Sequence, residues 1–214
     1  GWLSDLLYLD LSDNSFSNVP GEIGNLERLE TLLLGFNHEL KVMPLEIFNL
    51  PHLTELSLPG FETAVPRQIG DLSNLEVLSI GSGSLKALPA EVGNCINLTE
   101  LYVNGTHLEE LPAEIGKLTN LRKLSLWNIA FEPSDLLPPE IAQLRNLREL
   151  FICGHKMRSL PPEIGDLYNL TELTMIGTCL DELSPAIGRL DKLEKLRIVA
   201  CNFSVIPEEI GVLT

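Results

Sequence analysis

The feature that most constrains this chain is a repeat. From Leu98 to Ile115 it reads LTELYVNGTHLEELPAEI, with apolar residues at Leu98, Leu101 and Val103, then Leu108, Leu111-Pro112 and Ile115. Shifted by about one such unit, the chain matches itself. The first leucine of the motif falls at Leu6, Leu29, Leu53, Leu75, Leu98, Leu121, Leu147, Leu170 and Leu193, so neighbouring starts differ by 23, 24, 22, 23, 23, 26, 23 and 23 residues. A unit of that length cannot bury its apolar face alone. Nine of them predict a stacked array with one continuous core.

Within the unit, L-x-x-L-x-L puts its last two apolar residues on one face of a short strand and the residue between them on the other. Stacking such strands builds a parallel sheet; at about 4.8 Å per strand, nine span roughly 40 Å. The second half of the unit is as regular. Proline stands at 20, 44, 66, 89, 112, 138, 161, 185 and 207, mostly followed by Glu, an aliphatic residue and Gly, as in Glu22-Ile23-Gly24, Glu114-Ile115-Gly116 and Glu163-Ile164-Gly165. Proline suits the first helical position and Glu the positive end of a turn, while Gly is expected to end it. Short helical or 3₁₀ turns are therefore expected opposite the strands, their Glu stripe a solvated face. Bulkier segments on that side would curve the array.

Period, strand motif and Leu-Pro-x-Glu-Ile-Gly turn together resemble the leucine-rich-repeat family, in its 23-residue class. Similar arrays occur in Ras-pathway scaffolds, plant intracellular immune receptors and bacterial repeat proteins. The resemblance implies an α/β fold, a curved horseshoe solenoid with a parallel concave sheet and short helical or 3₁₀ convex turns. It also implies a non-catalytic module binding a protein or peptide partner on the concave face, as a scaffold or receptor. Position nine of the unit, counted from its first leucine, is normally Asn. Here it is Asn14 and Asn37, then Phe61, Gly83, Thr106, Ile129, His155, Thr178 and Cys201. The expected asparagine ladder is thus lost after two repeats; Thr178 and Cys201 act as substitutes, and Phe61, Ile129 and His155 imply looser turns. The sixth repeat is longer, with Phe131 to Leu137 expected to bulge. The chain begins and ends inside a unit, so residues 1–214 are expected to be a single array taken from a longer protein.

Composition narrows the function. There are 30 acidic and 15 basic residues, a net charge of −15, which disfavours nucleic acid and anionic membranes as general partners. No apolar run approaches the roughly 18 residues of a membrane span. Cys95, Cys153, Cys179 and Cys201 show no C-x-x-C pair and no metal spacing with His, which suits an intracellular, cytoplasmic setting. Gly116-Lys117 lacks the upstream glycine of a phosphate loop, Gly81-Ser82-Gly83 opens no dinucleotide-type helix, and neither H-E-x-x-H nor G-x-S-x-G occurs. No catalytic residue, cofactor or metal is expected. Two other readings stay open: a substrate-recruiting part of a larger ligase, kinase or GTPase, and an extracellular ligand-binding array. For the second, N-x-Ser/Thr sequons occur at Asn97, Asn104, Asn169 and Asn202.

The variable strand positions carry the site. Positions two, three, five, seven and eight are expected on the concave face. Tyr102 and Phe151 at position five and Trp127 at position seven lie on three consecutive strands, an expected aromatic patch in a chain with 6% aromatics. Beside them stand Arg122, Lys123 and Arg148, with Ile176 and Arg197 further along. Aromatics and arginine dominate protein interfaces. Concave positions of the first five repeats carry acids without Lys or Arg, whereas repeats six to nine carry Arg122, Lys123, Arg148, Lys195 and Arg197, offset by Glu149, Glu172 and Glu194. An asymmetric binding face is expected.

Overall fold

The computed structural model describes residues 3–60, 64–81, 83, 85–105, 107–127, 137–154, 157–201 and 204–212. Among these, nine strands form one open parallel sheet in chain order. They are β1 (Tyr8–Asp10), β2 (Thr31–Leu33), β3 (Glu55–Leu58), β4 (Val77–Ile80), β5 (Glu100–Asn104), β6 (Lys123–Trp127), β7 (Glu149–Cys153), β8 (Glu172–Ile176) and β9 (Lys195–Val199).

Each strand opens two residues after the first leucine of its motif. That leucine is still closing the preceding turn: Leu29 N–H donates to Leu26 O at 2.9 Å, and Leu121 to Leu118 at 2.9 Å. It is core all the same, since Leu29, Leu53, Leu75, Leu98, Leu121, Leu147 and Leu170 are fully buried. The register then runs without a slip through Leu9, Leu32, Leu56, Leu78, Leu101, Leu124, Leu150, Leu173 and Leu196. A one-residue slip would turn every one of these to solvent, so burial fixes the register. Each buried leucine contributes about 1.5–3 kcal/mol. At the two edge strands Leu9, Leu196 and Ile198 are only partly covered.

Opposite the strands lie 3₁₀ turns: Gly21–Asn25, Leu45–Asn49, Arg67–Asp71, Ala90–Asn94, Ala113–Lys117, Pro139–Gln143, Pro162–Asp166, Pro185–Arg189 and Glu208–Val212. Proline mostly stands one residue outside the position expected for it. Pro20 (φ −69°, ψ 146°) and Pro112 (φ −66°, ψ 147°) are extended caps, and their carbonyls accept from Ile23 at 3.1 Å and Ile115 at 2.9 Å. Only Pro139, Pro162 and Pro185 are inside a turn.

The glycines of these turns also have a different role from the expected one. They do not end the turn in a left-handed conformation; they make room for the next repeat. A Cβ on Gly93 would sit 2.5 Å from Glu114 O, on Gly70 2.7 Å from Glu91 O and on Gly165 2.5 Å from Ala186 O. In the second repeat this place is taken by Phe48, which is 1% exposed and wedged into the core, and in the sixth by Ala142. The left-handed residues lie elsewhere, at position eight, where the chain leaves the strand. Gly105, Gly154 and Gly177 have φ of 62°, 78° and 65°, and Asp13, Phe36 and Ala200 hold the same conformation at 54°, 58° and 55°. For the last three a Cβ makes this costly.

Just beyond, Asn37 is buried and donates to Leu34 O and Leu11 O, each at 2.9 Å. Thr178 Oγ1 lies 2.9 Å from Cys201 Sγ, so these two substitutes do join neighbouring turns. Phe61, Thr106, Ile129, His155, Asn202 and most of the expected bulge (131–136) lie outside the described residues. All four cysteines are free.

Candidate functional site

The solvent face of the sheet, the face expected to be concave, is organised in rows that cross the strands. In the row of position five, Tyr102, Ser125 and Phe151 are register partners, as are Phe151, Thr174 and Arg197. Large and small residues alternate. Ser125 and Thr174 are 6% and 1% exposed, while Tyr102 and Phe151 are half-buried and Arg197 is exposed. The small residues between the rings are thus buried, and the rings themselves are only half exposed. Trp127 is the exposed aromatic, at 56%. It lies one pleat further along β6, opposite Asn104 and Cys153. The expected patch is therefore a half-buried pair with one projecting indole beside it.

Tyr102 is held on two sides. Its hydroxyl donates to Glu100 Oε2, and Lys123 Nζ lies 5.7 Å from the centre of its ring, within cation–π range. Lys123 Nζ is also 3.0 Å from Glu149 Oε2. Burial pushes the Tyr102 phenol above its ordinary value, helped by the bond to Glu100. The hydrogen bond to Glu149 raises the Lys123 ammonium above its own. At neutral pH Tyr102 keeps its phenolic proton and Lys123 its charge, and Glu100, Tyr102, Lys123 and Glu149 form one chain of contacts across three strands.

The charge tally by repeat changes once strands are neighbours. Lys123 pairs with Glu149 at 3.0 Å and Lys195 with Glu172 at 2.6 Å. Among the described residues, the cations of this face without an ion pair are Arg122, Arg148 and Arg197. Arg122 and Arg148 stand side by side on the approaches to β6 and β7. Ile176 is half-buried opposite Cys153 on β7 and Val199 on β9. Arg197 is two strands from Phe151, about 10 Å, and stands apart from the patch.

Sequence reasoning missed a second asparagine ladder. The residue before the first leucine of the motif is Asn74, Asn97, Asn120, Asn146 and Asn169 in five consecutive repeats. Each Nδ2 donates to the repeat before: to Pro51 O (2.7 Å), Ser73 O (2.8 Å), Ile96 O (2.9 Å), Thr119 O (2.8 Å) and Arg145 O (2.7 Å). Thr99 and Thr171 Oγ1 likewise reach Glu76 O (3.2 Å) and Arg148 O (3.1 Å). The recurrent Asn-Leu-Thr, read as a sequon at Asn97 and Asn169, has a structural cause in these bonds. The signal was the 23-residue recurrence itself. Asn104 differs: its Oδ1 is buried and without a hydrogen-bond partner.

Among the described residues no group of three or more His, Cys, Asp or Glu is placed to hold a metal, and no helix is long and apolar enough to cross a membrane.

A family model described as a leucine-rich repeat region matches residues 1–83 and 46–156. Receptor-like protein 41 of Arabidopsis thaliana is 36% identical over 87 residues, covering 38% of this chain and 10% of that protein. The chain thus spans about a tenth of that relative's length. A leucine-rich repeat protein of Leptospira interrogans superposes with a TM-score of 0.74 at 33% identity, covering 98% of this chain and 59% of the other. The plant peptide hormone receptor RGFR1, solved in complex with RGF2, superposes with a TM-score of 0.68 at 25% identity, covering 99% of this chain and 39% of the receptor.

Proposed function

Since this chain belongs to the leucine-rich repeat family, we propose that it is the ligand-recognising part of a receptor-type array, binding a peptide or protein on the solvent face of its sheet. The observation that carries this is the set around Trp127: an exposed indole one row from Tyr102, which Glu100 and Lys123 already hold, with Lys123 in turn held by Glu149. Side chains held in place before a ligand arrives reduce the ordering cost of binding, and aromatics anchor interfaces. Tyr102, Trp127 and Phe151 supply the apolar contact. Lys123 and Ile176 flank it, Arg122 and Arg148 stand at the strand openings to one side, and Arg197 lies further along the sheet.

The receptor reading is favoured over the scaffold reading by the relatives. Receptor-like protein 41 carries receptor in its name, and RGFR1 is a peptide hormone receptor solved with RGF2. That reading puts the array outside the cell, against the cytoplasmic expectation from cysteine usage. Expression in a secretory host, with mass measured before and after deglycosylation, separates the two: a glycan-free, secreted chain speaks for the cytoplasm. Binding is tested with the triple variant Tyr102→Ala, Trp127→Ala, Phe151→Ala beside wild type in a quantitative pull-down from the source tissue. Circular dichroism checks that the variant is folded. A loss of at least tenfold is expected; equal recovery of the same partner by both sinks the proposal.

A further inference from the structure

Along the openings of the strands runs a feature that the aromatic set does not use. Two adjoining polar depressions, of about 450 and 340 Å³, share Glu76 and Asn97. Together they make one trough across the middle of the sheet. It is lined by the asparagine ladder, each amide of which donates one hydrogen bond to the preceding repeat. The Thr99 hydroxyl is likewise turned in on Glu76 O at 3.2 Å. One end of the trough carries Glu30 with His52, the junction of the two depressions carries Glu76, and the other end carries Arg122 and Arg148. Glu30, Glu76, Arg122 and Arg148 are exposed and, among the described residues, none has an ion pair.

Arg122 and Arg148 are on adjacent strands, about 4.8 Å apart at the backbone, so both guanidinium groups can reach one anion, and without it two like charges share this end. Glu76 lies two strands from Arg122, about 10 Å, too far to neutralise it directly. One row over, Lys123 and Lys195 do have carboxylates, at 3.0 and 2.6 Å. A carboxylate shared between the two guanidinium groups would remove the repulsion, and such charge-assisted pairs are the strong ones. The acidic end repels a polyanion, so nucleic acid does not fit a trough with this polarity.

We infer that the trough, on the peptide-binding reading above, takes an extended peptide with one acidic residue over Arg122 and Arg148 and one basic residue over Glu76. From the midpoint of the two arginines to Glu76 is two and a half strands, about 12 Å, and an extended chain covers about 3.3 Å per residue. The ligand's acid and base are therefore three or four positions apart. The polarity of the trough sets the direction in which the peptide crosses the sheet.

The test is selection of displayed random 12-residue linear peptides on the 214-residue chain. Enriched peptides should carry an acidic and a basic residue three or four positions apart. The variant Arg122→Glu, Arg148→Glu, confirmed folded by circular dichroism, should bind an enriched peptide at least tenfold more weakly. It should regain affinity when that peptide's acidic residue is replaced by lysine. Enriched peptides without the acid–base pair, or binding by the double variant within twofold of wild type, overturn the inference. If those same peptides are lost in the triple alanine variant, the aromatic site stands without the trough. Failure to enrich any peptide overturns the trough, while the aromatic site is decided separately by the pull-down with the triple alanine variant. Peptides sensitive to the double Glu variant but indifferent to the triple alanine variant support the trough and overturn the aromatic site.

Discussion

Replacing Gly93 by alanine tests the packing logic of the whole array. A Cβ there would lie 2.5 Å from Glu114 O and 2.8 Å from Glu114 Cβ. Ordinary contact begins at 3.4 Å, so the fourth and fifth repeats must part by about 3.4 − 2.5 = 0.9 Å. The obstacle is backbone, which cannot rotate aside. Overpacking costs about 1–3 kcal/mol, and this geometry belongs at the upper end. Reduced freedom of the unfolded chain returns about 0.4–1 kcal/mol for Gly→Ala. The net expectation is about 2 kcal/mol of destabilisation. The structure supplies its own control: a Cβ on Gly211 meets nothing within 4 Å, so Gly211→Ala should be neutral or stabilising by up to about 1 kcal/mol. Urea unfolding followed by circular dichroism measures both. A fall in the slope for Gly93→Ala would mean that the two halves of the array unfold separately, as stacked repeats allow. The reasoning is refuted if Gly93→Ala lies within 0.5 kcal/mol of wild type, or if Gly211→Ala is equally damaging.

Other outcomes follow from the same structure. Phe48 occupies the glycine place of the second repeat and is buried, so Phe48→Ala should cost about 3–5 kcal/mol in the same urea assay, although it moves that repeat toward its siblings. Asn120→Ala removes the 2.9 Å bond to Ile96 O and should cost about 1 kcal/mol, read as a lower thermal midpoint. Cys95 gives an alkaline signature: burial first, then the Asp71 charge, pushes its thiol from 9.0 to about 12. Above pH 9 the unfolded thiol ionises while the folded one does not, so stability falls as pH rises from 9 towards 12. At pH 10 the loss from this group is about 1.4 kcal/mol. Urea midpoints at pH 8 and pH 10 should therefore converge in Cys95→Ala, and an unchanged gap would remove the assignment.

The scaffold was legible in the sequence because it is written nine times. The core leucines, the parallel order and the turn class all followed from a period that no other architecture explains. What was not legible depends on residues one repeat apart meeting in space. Gly93 looked like a turn ending because its reason, Glu114 O, is 21 positions away. The basic character assigned to repeats six to nine weakened once Lys123 met Glu149 on the adjacent strand. Tyr102 and Phe151 share one row through Ser125, and their half-burial depends on the register of three strands. The left-handed turn at position eight was hidden because Asp13, Phe36 and Ala200 occupy it as well as glycine. The family's asparagine belongs at position nine, past the strand, whereas the second ladder stands at the strand's other end, before the first leucine.

That second ladder has a consequence for how such a chain changes over generations. Every amide reaches back to the unit before it and asks the same carbonyl of it. Donor and acceptor are therefore interchangeable between units. Unequal recombination that duplicates or deletes one whole unit leaves each new junction as well bonded as the old. What does change is the separation of features on either side of the junction. A unit gained between Glu76 and Arg122 would move them apart by one strand, about 4.8 Å. The backbone thus tolerates editing in whole units, and each edit resets the span of the surface it carries.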